Sequence, residues 1–142
     1  DRNFYSILNF AYFYDEKRQN IVLKLPPKLV PVKAAVFPIV KREDFEKISQ
    51  EIFSELKKDF NVIYDKSGSI GRRYARNDEI GTLFCITIDE DSLKKKDVTV
   101  RVRDSAEQVR IKIKELKEVL KKVIDEGEEI LKFGKIVDTR KK

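Results

Sequence analysis

Residues Gly68–Gly81 read Gly-Ser-Ile-Gly-Arg-Arg-Tyr-Ala-Arg-Asn-Asp-Glu-Ile-Gly, and this is the most informative stretch of the chain. Its first glycines predict a turn into a short helix, and its last glycine predicts the end of that helix. The first turns of the helix carry Arg72, Arg73 and Arg76. Because a helix start offers backbone N–H groups and arginines add bidentate donors, the pattern favours phosphate or nucleic acid as ligand.

The spacing of Gly68 and Gly71 also allows simpler interpretations. A G-x-x-G turn clamps the nucleic-acid backbone in KH domains, but there it joins two helices, whereas here it follows a predicted strand. No Gly-Lys-Ser/Thr follows the second glycine, so the P-loop pattern is absent. A strand-to-helix turn that needs glycine only for its backbone conformation therefore stays open as an alternative.

The composition excludes several classes of enzyme. The chain has 142 residues, 41% hydrophobic and 39% charged, which is typical of one globular domain. It has no histidine and a single cysteine, Cys85, so a Ser-His-Asp triad and a histidine-ligated zinc site are excluded, and we expect no metal site. No apolar run is long enough to span a membrane, so we expect no membrane partner. The net charge of +6 favours a polyanionic partner.

The apolar spacing predicts an α/β layer fold with a mixed sheet and helices on its faces. A short helix over residues 4–11 precedes a proline-rich connector that contains Pro26 and Pro27. The elements predicted after it are strands over 34–40, 62–64, 83–88 and 98–103, helices over 43–59 and 70–79, a loop over 89–97, and a final helix capped by Asp104 or Ser105. The residues after Gly127 form a weakly patterned tail.

Two further groups of charged residues are candidate sites. Arg101 and Arg103 alternate along a predicted strand, so both guanidinium groups project from one face of the sheet near the end of the strand, where ligands of α/β sheets bind. The other interpretation is a solvated polar face with acidic neighbours. The final predicted helix carries a basic stripe of Arg110, Lys114, Lys117 and Lys121. Such a stripe either follows phosphates or is an ordinary soluble helix face.

Two signatures resemble those of a known family. Gly68–Gly81, with the following Phe84–Asp89, looks like the signature of the anticodon-binding domain of glycyl-tRNA synthetases of the archaeal and eukaryotic type. Arg101–Arg110 is similar to the second signature of that family, and residues 31–38 are similar to its first strand. The resemblance implies the class IIa anticodon-binding fold, a five-stranded mixed sheet with three flanking helices.

The resemblance also implies a division of the chain. Residues 25–125 would form the anticodon-binding domain, residues 1–24 the end of a class II catalytic domain and a linker, and residues 126–142 a C-terminal tail. Asp1-Arg2 resembles the end of motif 3, so Arg2 is a candidate remnant of the ATP site. Because the chain has no methionine, we also expect it to be a piece of a longer protein.

By resemblance, the partner is glycine tRNA, whose anticodon ends in two cytosines. The implied hydrogen-bond donors are Arg72, Arg73, Arg76, Arg101 and Arg103, and the implied acceptors are Glu79 and Asp104. The implied parent enzyme is a cytoplasmic, homodimeric glycine–tRNA ligase that uses ATP and Mg²⁺. We expect the chain alone to bind no cofactor and to catalyse no reaction.

Two other functions stay open at this point. The same fold serves as the accessory subunit of a mitochondrial DNA polymerase, which would bind duplex DNA without anticodon preference. A small-molecule enzyme is the third hypothesis. The missing histidine opposes it, and the neighbouring carboxylates Asp78 and Glu79 diverge by about 100° on a helix, which is a poor geometry for a general acid and base.

Overall fold

The computed structural model describes residues 12–137, so the helix predicted over residues 4–11 and the candidate Arg2 lie outside the described residues. Strands β1 (Tyr12–Asp15) and β2 (Asn20–Leu23) form an N-terminal hairpin. The elements that follow are β3 (Ala34–Pro38), α1 (Glu43–Leu56), β4 (Val62–Tyr64), α2 (Ile70–Ile80), β5 (Phe84–Ile88), α3 (Glu90–Lys95), β6 (Asp97–Val102), β7 (Gln108–Lys112), α4 (Ile113–Glu126), a 3₁₀ helix (Ile130–Phe133) and β8 (Lys135–Val137). None of the helices between residues 12 and 137 has the length and apolar character that a membrane span requires.

The predicted α/β class with a mixed sheet is confirmed. The strand order is β4-β3-β5-β6-β7-β8. Strand β3 runs parallel to β4 and β5, and the other neighbouring strands are antiparallel. The expected count of five strands and three flanking helices is too low. The sheet has β8 as an additional outermost strand next to β7, and the short helix α3 joins β5 to β6.

Two crossover connections place helices on opposite faces of the sheet. The chain leaves β3 through α1 to reach β4, and then returns past β3 through α2 to reach β5. Since β–α–β crossovers are right-handed, the reversal of direction moves the second helix to the other face. Accordingly, α1 and α4 cover the face that contains Val36 and Ile86, whereas α2 covers Phe37 and Cys85.

The larger of the two cores lies beneath α1 and α4. Phe45, Ile52 and Leu56 project from α1, and Leu116 and Leu120 project from α4, with no more than 4% of any of these residues exposed. Their spacing gives each helix one apolar stripe. Burial of one such side chain contributes about 1.5–3 kcal/mol, so this face anchors both helices firmly to the sheet.

The prediction that the final helix is capped by Asp104 or Ser105 is wrong. The five residues of β7 form a strand instead, because apolar and polar residues alternate there and the strand pairs along β6. A hydrogen bond of 2.9 Å from the Val102 N–H to the Glu107 carbonyl closes the turn before it. Helix α4 therefore begins after β7. Its predicted end at Gly127 is confirmed, with φ at +71°.

Three further regions differ from the prediction. The expected loop over 89–97 contains α3, whose capping box joins Asp89 and Ser92, a pair with serine in place of the usual glutamate or glutamine. The weakly patterned tail contains the 3₁₀ helix and β8, which has only three residues. The hairpin β1–β2 was not predicted; its turn is formed by the charged run that follows Asp15.

Gly81 provides a test of how the hairpin packs on α2. Its φ is +82°, and a Cβ atom there would lie 2.8 Å from the carbonyl oxygen of Leu23. We expect Gly81→Ala to lower the free energy of unfolding by about 2 kcal/mol or more, because the left-handed backbone and the close hairpin both oppose a side chain. Gly71 lies in the first turn of α2, and a Cβ atom added there would meet open space, so Gly71→Ala should instead raise the free energy of unfolding by about 0.5–1 kcal/mol. Urea denaturation measures both, and a similar effect of the two variants would contradict this packing.

Candidate nucleic-acid interface

The candidate interface lies at the upper edge of the sheet, meaning the edge at which β3, β4 and β5 end. Helices α1, α2 and α3 begin at this edge because each follows one of those strands. Helix α4 begins there too, because β7 ends beside the start of β6, with Lys112 opposite Asp97. The positive ends of the helix dipoles therefore converge on one edge, which favours an anionic ligand.

The ends of β3 and β4 lie side by side at the upper edge, because the two strands are parallel neighbours. Arg73 connects them. Only 3% of this residue is exposed, and its guanidinium donates to the Pro38 carbonyl at 2.6 Å and to the Gly68 carbonyl at 3.1 Å. The same group lies 5.7 Å from the centre of the Phe37 ring. Arg73 thus joins the end of β3 to the loop that follows β4.

The exposed face of α2 carries three of the predicted site residues. Arg72, Arg76 and Glu79 are all exposed, at positions i, i+4 and i+7 of the helix. The Arg76 guanidinium lies 2.7 Å from the Asp65 carboxylate and donates to the Ser67 carbonyl at 2.8 Å. Because exposed ion pairs contribute about 1 kcal/mol or less, Arg76 can exchange Asp65 for a phosphate.

A buried ion pair joins α2 to β6. Arg101 donates to both carboxylate oxygens of Asp78, at 2.9 and 3.1 Å, and the two residues are 7% and 2% exposed. Arg18, from the hairpin turn, adds a third contact at 3.3 Å. The Arg101 guanidinium also lies 4.7 Å from the centre of the Tyr74 ring. Burial lowers the pKa of Arg101, but the hydrogen bonds and charge of Asp78 outweigh this and raise the pKa above its ordinary value.

Arg103 lies near the lower edge of the sheet, meaning the edge at which β3, β4 and β5 begin. The expectation that the end of its strand lies at the edge where ligands bind is therefore wrong. The reason is that β6 runs antiparallel to β5 and ends where β5 begins. Arg103 is 3% exposed and donates to the Leu25 carbonyl at 2.8 Å, the Gly81 carbonyl at 3.2 Å and the exposed Asp104 carboxylate at 2.9 Å. The structure therefore groups Arg72, Arg73 and Arg76 around the start of α2, and places Arg103 and Asp104 beyond its end. Contact of the seven candidate residues with tRNA stays a prediction.

The predicted basic stripe does not form, because Arg110 lies on β7 and not on the final helix. Its guanidinium contacts Asp97 and lies 2.9 Å from Asp89, which raises the pKa of Arg110 despite its burial. Lys117 does lie on α4, but its ammonium group is 2.6 Å from Asp59. The predicted stripe therefore lacks Arg110 at its start, and the charge of Lys117 within it is neutralised by Asp59.

Sequence reasoning missed the contribution of the hairpin to this region. Asn20 donates to the Ala75 carbonyl of α2 at 3.0 Å, and Arg18 reaches Asp78. No local pattern marks these two residues, since their partners lie more than 50 positions away in the chain.

Comparison with known families agrees with this architecture. Residues 33–123, more than half of the chain, match the family described as "Anticodon binding domain". The chain belongs to the anticodon binding domain family. The hairpin that packs on α2 precedes the matched residues.

Relatives of this anticodon-binding domain include two glycine–tRNA ligases. That of Rhodopirellula baltica is 48% identical over 80% of the chain, and that of Thermococcus sibiricus is 44% identical over 87% of it. The chain spans 22% of the length of each relative. Among solved structures, a prolyl-tRNA synthetase of Cryptosporidium parvum matches 80% of the chain and 24% of its own length, with a TM-score of 0.69 and 28% identity. The RNA binding domain of a threonyl-tRNA synthetase from the same organism matches 68% of the chain and 24% of its own length, with a TM-score of 0.61 and 26% identity.

The buried ion pair of the anticodon-binding domain makes Asp78 sensitive to substitution. We expect Asp78→Asn to lower the free energy of unfolding by about 3–5 kcal/mol, because it leaves the buried Arg101 charge without its partner. The double variant Asp78→Asn/Arg101→Gln should lose less than the sum of the two single variants. Denaturant titration of the three variants measures this coupling, and additive losses would show that the pair does not act as a unit.

The reactivity of the Cys85 thiol measures whether α2 remains packed against its face of the sheet. The residue is 2% exposed, and burial raises the pKa of its thiol to about 12, although nearby Arg101 partly opposes this. We expect no measurable reaction with a thiol reagent at pH 8 in the folded protein and rapid reaction in denaturant, because the reactive thiolate is absent in the folded state. Rapid reaction without denaturant would contradict the packing described here.

Proposed function

We propose that this chain is the anticodon-binding domain of a glycine–tRNA ligase and that it binds glycine tRNA. One observation carries the proposal: glycine–tRNA ligases are 44–52% identical to the chain over 69–87% of its length. Prolyl- and threonyl-tRNA synthetase structures that share its fold are only 26–29% identical. The higher identity to the glycine enzymes supports glycine as the amino acid.

In this proposal the exposed face of α2 meets the anticodon loop. Splayed bases of single-stranded RNA are read by hydrogen bonds to their edges, and a carboxylate accepts from the exocyclic N4 amino group of cytosine. Glu79 is the exposed carboxylate on this face, and Arg72 and Arg76 lie nearer the helix start. We assign cytosine recognition to Glu79 and phosphate binding to the two arginines.

The three buried arginines have a different part in the proposal. Arg73, Arg101 and Arg103 already donate to carbonyl or carboxylate groups of the protein. Direct contact with a base would require them to leave these partners, which costs free energy in a buried site. We propose that they hold α2 and its preceding loop in the orientation that RNA binding needs.

The parent protein is proposed to be a class II aminoacyl-tRNA synthetase of the archaeal and eukaryotic type, cytoplasmic and homodimeric. Because the chain spans about a fifth of the length of its glycine–tRNA ligase relatives, the remainder would supply the catalytic domain with ATP and Mg²⁺. The described residues 12–137 contain no group of three or more potential metal ligands.

A binding titration tests the proposal. We expect the chain to bind a glycine tRNA transcript more tightly than one with both anticodon cytosines replaced, by about 1–3 kcal/mol for each base read. Glu79→Gln should remove most of this difference, whereas Arg72→Ala should weaken both complexes equally, because a phosphate contact is independent of sequence. The control is Glu126→Gln at the far end of α4.

Two results of this titration would contradict the proposal. Equal affinity of the unmodified chain for both transcripts would refute anticodon recognition. A loss of discrimination in the Glu126→Gln control, with Glu79→Gln unchanged, would refute the assignment to α2.

A further inference from the structure

Lysines from two elements meet at the upper edge of the sheet, on the face that carries α1 and α4. Lys95 and Lys96 lie at the end of α3, and Lys112 and Lys114 flank the start of α4. The Ile113 N–H donates to the Lys96 carbonyl, and Lys112 Nζ donates to the Lys95 carbonyl, both at 3.0 Å. We call these four lysines the lysine patch. They line one end of a groove of about 640 Å³ between α1 and α4.

No carboxylate in the described part of the chain forms a salt bridge with the lysine patch, although Asp91, Asp97 and Glu115 line a neighbouring cavity together with Lys95 and Lys112. Among residues 12–137, none of its four ammonium groups takes part in an ion pair within 4.0 Å. Further along α4 the situation differs, since Lys117 lies 2.6 Å from Asp59 and 3.1 Å from Glu55. Ammonium groups without a salt-bridge partner can each form an ion pair with a bound polyanion.

We propose that the lysine patch binds the phosphate backbone of the RNA whose anticodon lies against α2. This inference rests on the proposed function and extends the interface across the upper edge. Helix α2 follows β4, and β7 leads into the lysine patch. In the sheet, β7 lies four strand positions from β4 and three from β3. At ~4.8 Å for each strand, the four steps from β4 to β7 span about 19 Å. An RNA backbone that crosses the upper edge from the start of α2 has to cover this distance to reach the lysine patch.

The groove floor is apolar, with Ile48, Ile52 and Leu116, so an acidic protein segment is the alternative occupant. Two observations favour RNA. The patch lies at the same edge as the start of α2, and the lysines concentrate at that end of the groove, whereas Glu51 and Glu55 line its α1 wall. This charge distribution suits a strand that crosses the edge better than an acidic segment laid along the whole groove.

Salt-dependent binding tests the proposal with two variants of equal charge. The patch variant carries Lys95→Gln, Lys112→Gln and Lys114→Gln, and leaves Lys96 unchanged because its φ is +55°. The control carries Lys28→Gln, Lys57→Gln and Lys122→Gln. Each variant removes three positive charges and lowers the net charge from +6 to +3. Thermal unfolding followed by circular dichroism confirms that both variants fold.

We expect the patch variant to bind glycine tRNA at least tenfold more weakly at low salt. The slope of log K against log salt should fall by about two to three, because three phosphate contacts are lost. The loss should be the same for a tRNA with substituted anticodon cytosines. The control should lose less than threefold and keep its slope. An unchanged slope in the patch variant, or equal losses in the two variants, would overturn the proposal.

The experiment distinguishes an error in the lysine-patch proposal from an error in the proposed function. If the unmodified chain does not distinguish the two anticodons, the proposed function fails, but a slope change specific to the patch variant still supports backbone binding. If anticodon discrimination is intact and the patch variant keeps its slope, the patch alone is refuted. Binding of a poly-glutamate peptide as tight as that of tRNA, and lost in the patch variant, would overturn the assignment to RNA.

Discussion

The buried ion pair between Asp78 and Arg101 is the interaction on which the arrangement around α2 depends. It joins the helix to β6 through two hydrogen bonds, and Arg18 connects the same carboxylate to the hairpin. A buried charge without its partner is costly, so α2 cannot slide or rotate on the sheet without a large loss of free energy. The stacking of Arg101 on Tyr74 adds a second geometric constraint. The exposed face of α2 is therefore presented to solvent in one orientation.

The arginines that the sequence patterns assign to RNA separate into two groups in the structure. Arg73, Arg101 and Arg103 are buried and donate to protein acceptors, and Arg72 and Arg76 remain exposed on α2. A guanidinium can be buried only where its N–H groups find acceptors, and loop carbonyls or a carboxylate supply them here. Positive residues near a proposed RNA site thus serve two purposes, and the buried ones shape the surface that the exposed ones occupy.

The sheet topology separates the two edges of the domain by charge. Parallel β3, β4 and β5 end at the upper edge, and the antiparallel pairing of β6 with β7 brings the start of α4 to the same place. Helix starts and unpaired lysines therefore accumulate there. The lower edge receives the other ends of the helices, together with the Leu23–Gly81 contact between the hairpin and α2. One edge thus favours a polyanion, and the other joins the hairpin to the domain.

The sequence alone determined the α/β class, the family, and elements β3 to β5 with α1 and α2, because periodicity and helix-ending glycines such as Gly81 are local signals. It did not identify β7, since Val109 and Ile111 fit a strand while Val109 also fits the stripe of the following helix, and only pairing with β6 decides between them. The burial of Arg101 and Arg103 was also decided by the tertiary structure. Strand alternation places both side chains on one face, but whether that face meets solvent or α2 depends on the direction of β6 and on the distant Asp78. Contacts between residues far apart in the chain leave no local pattern in a single sequence.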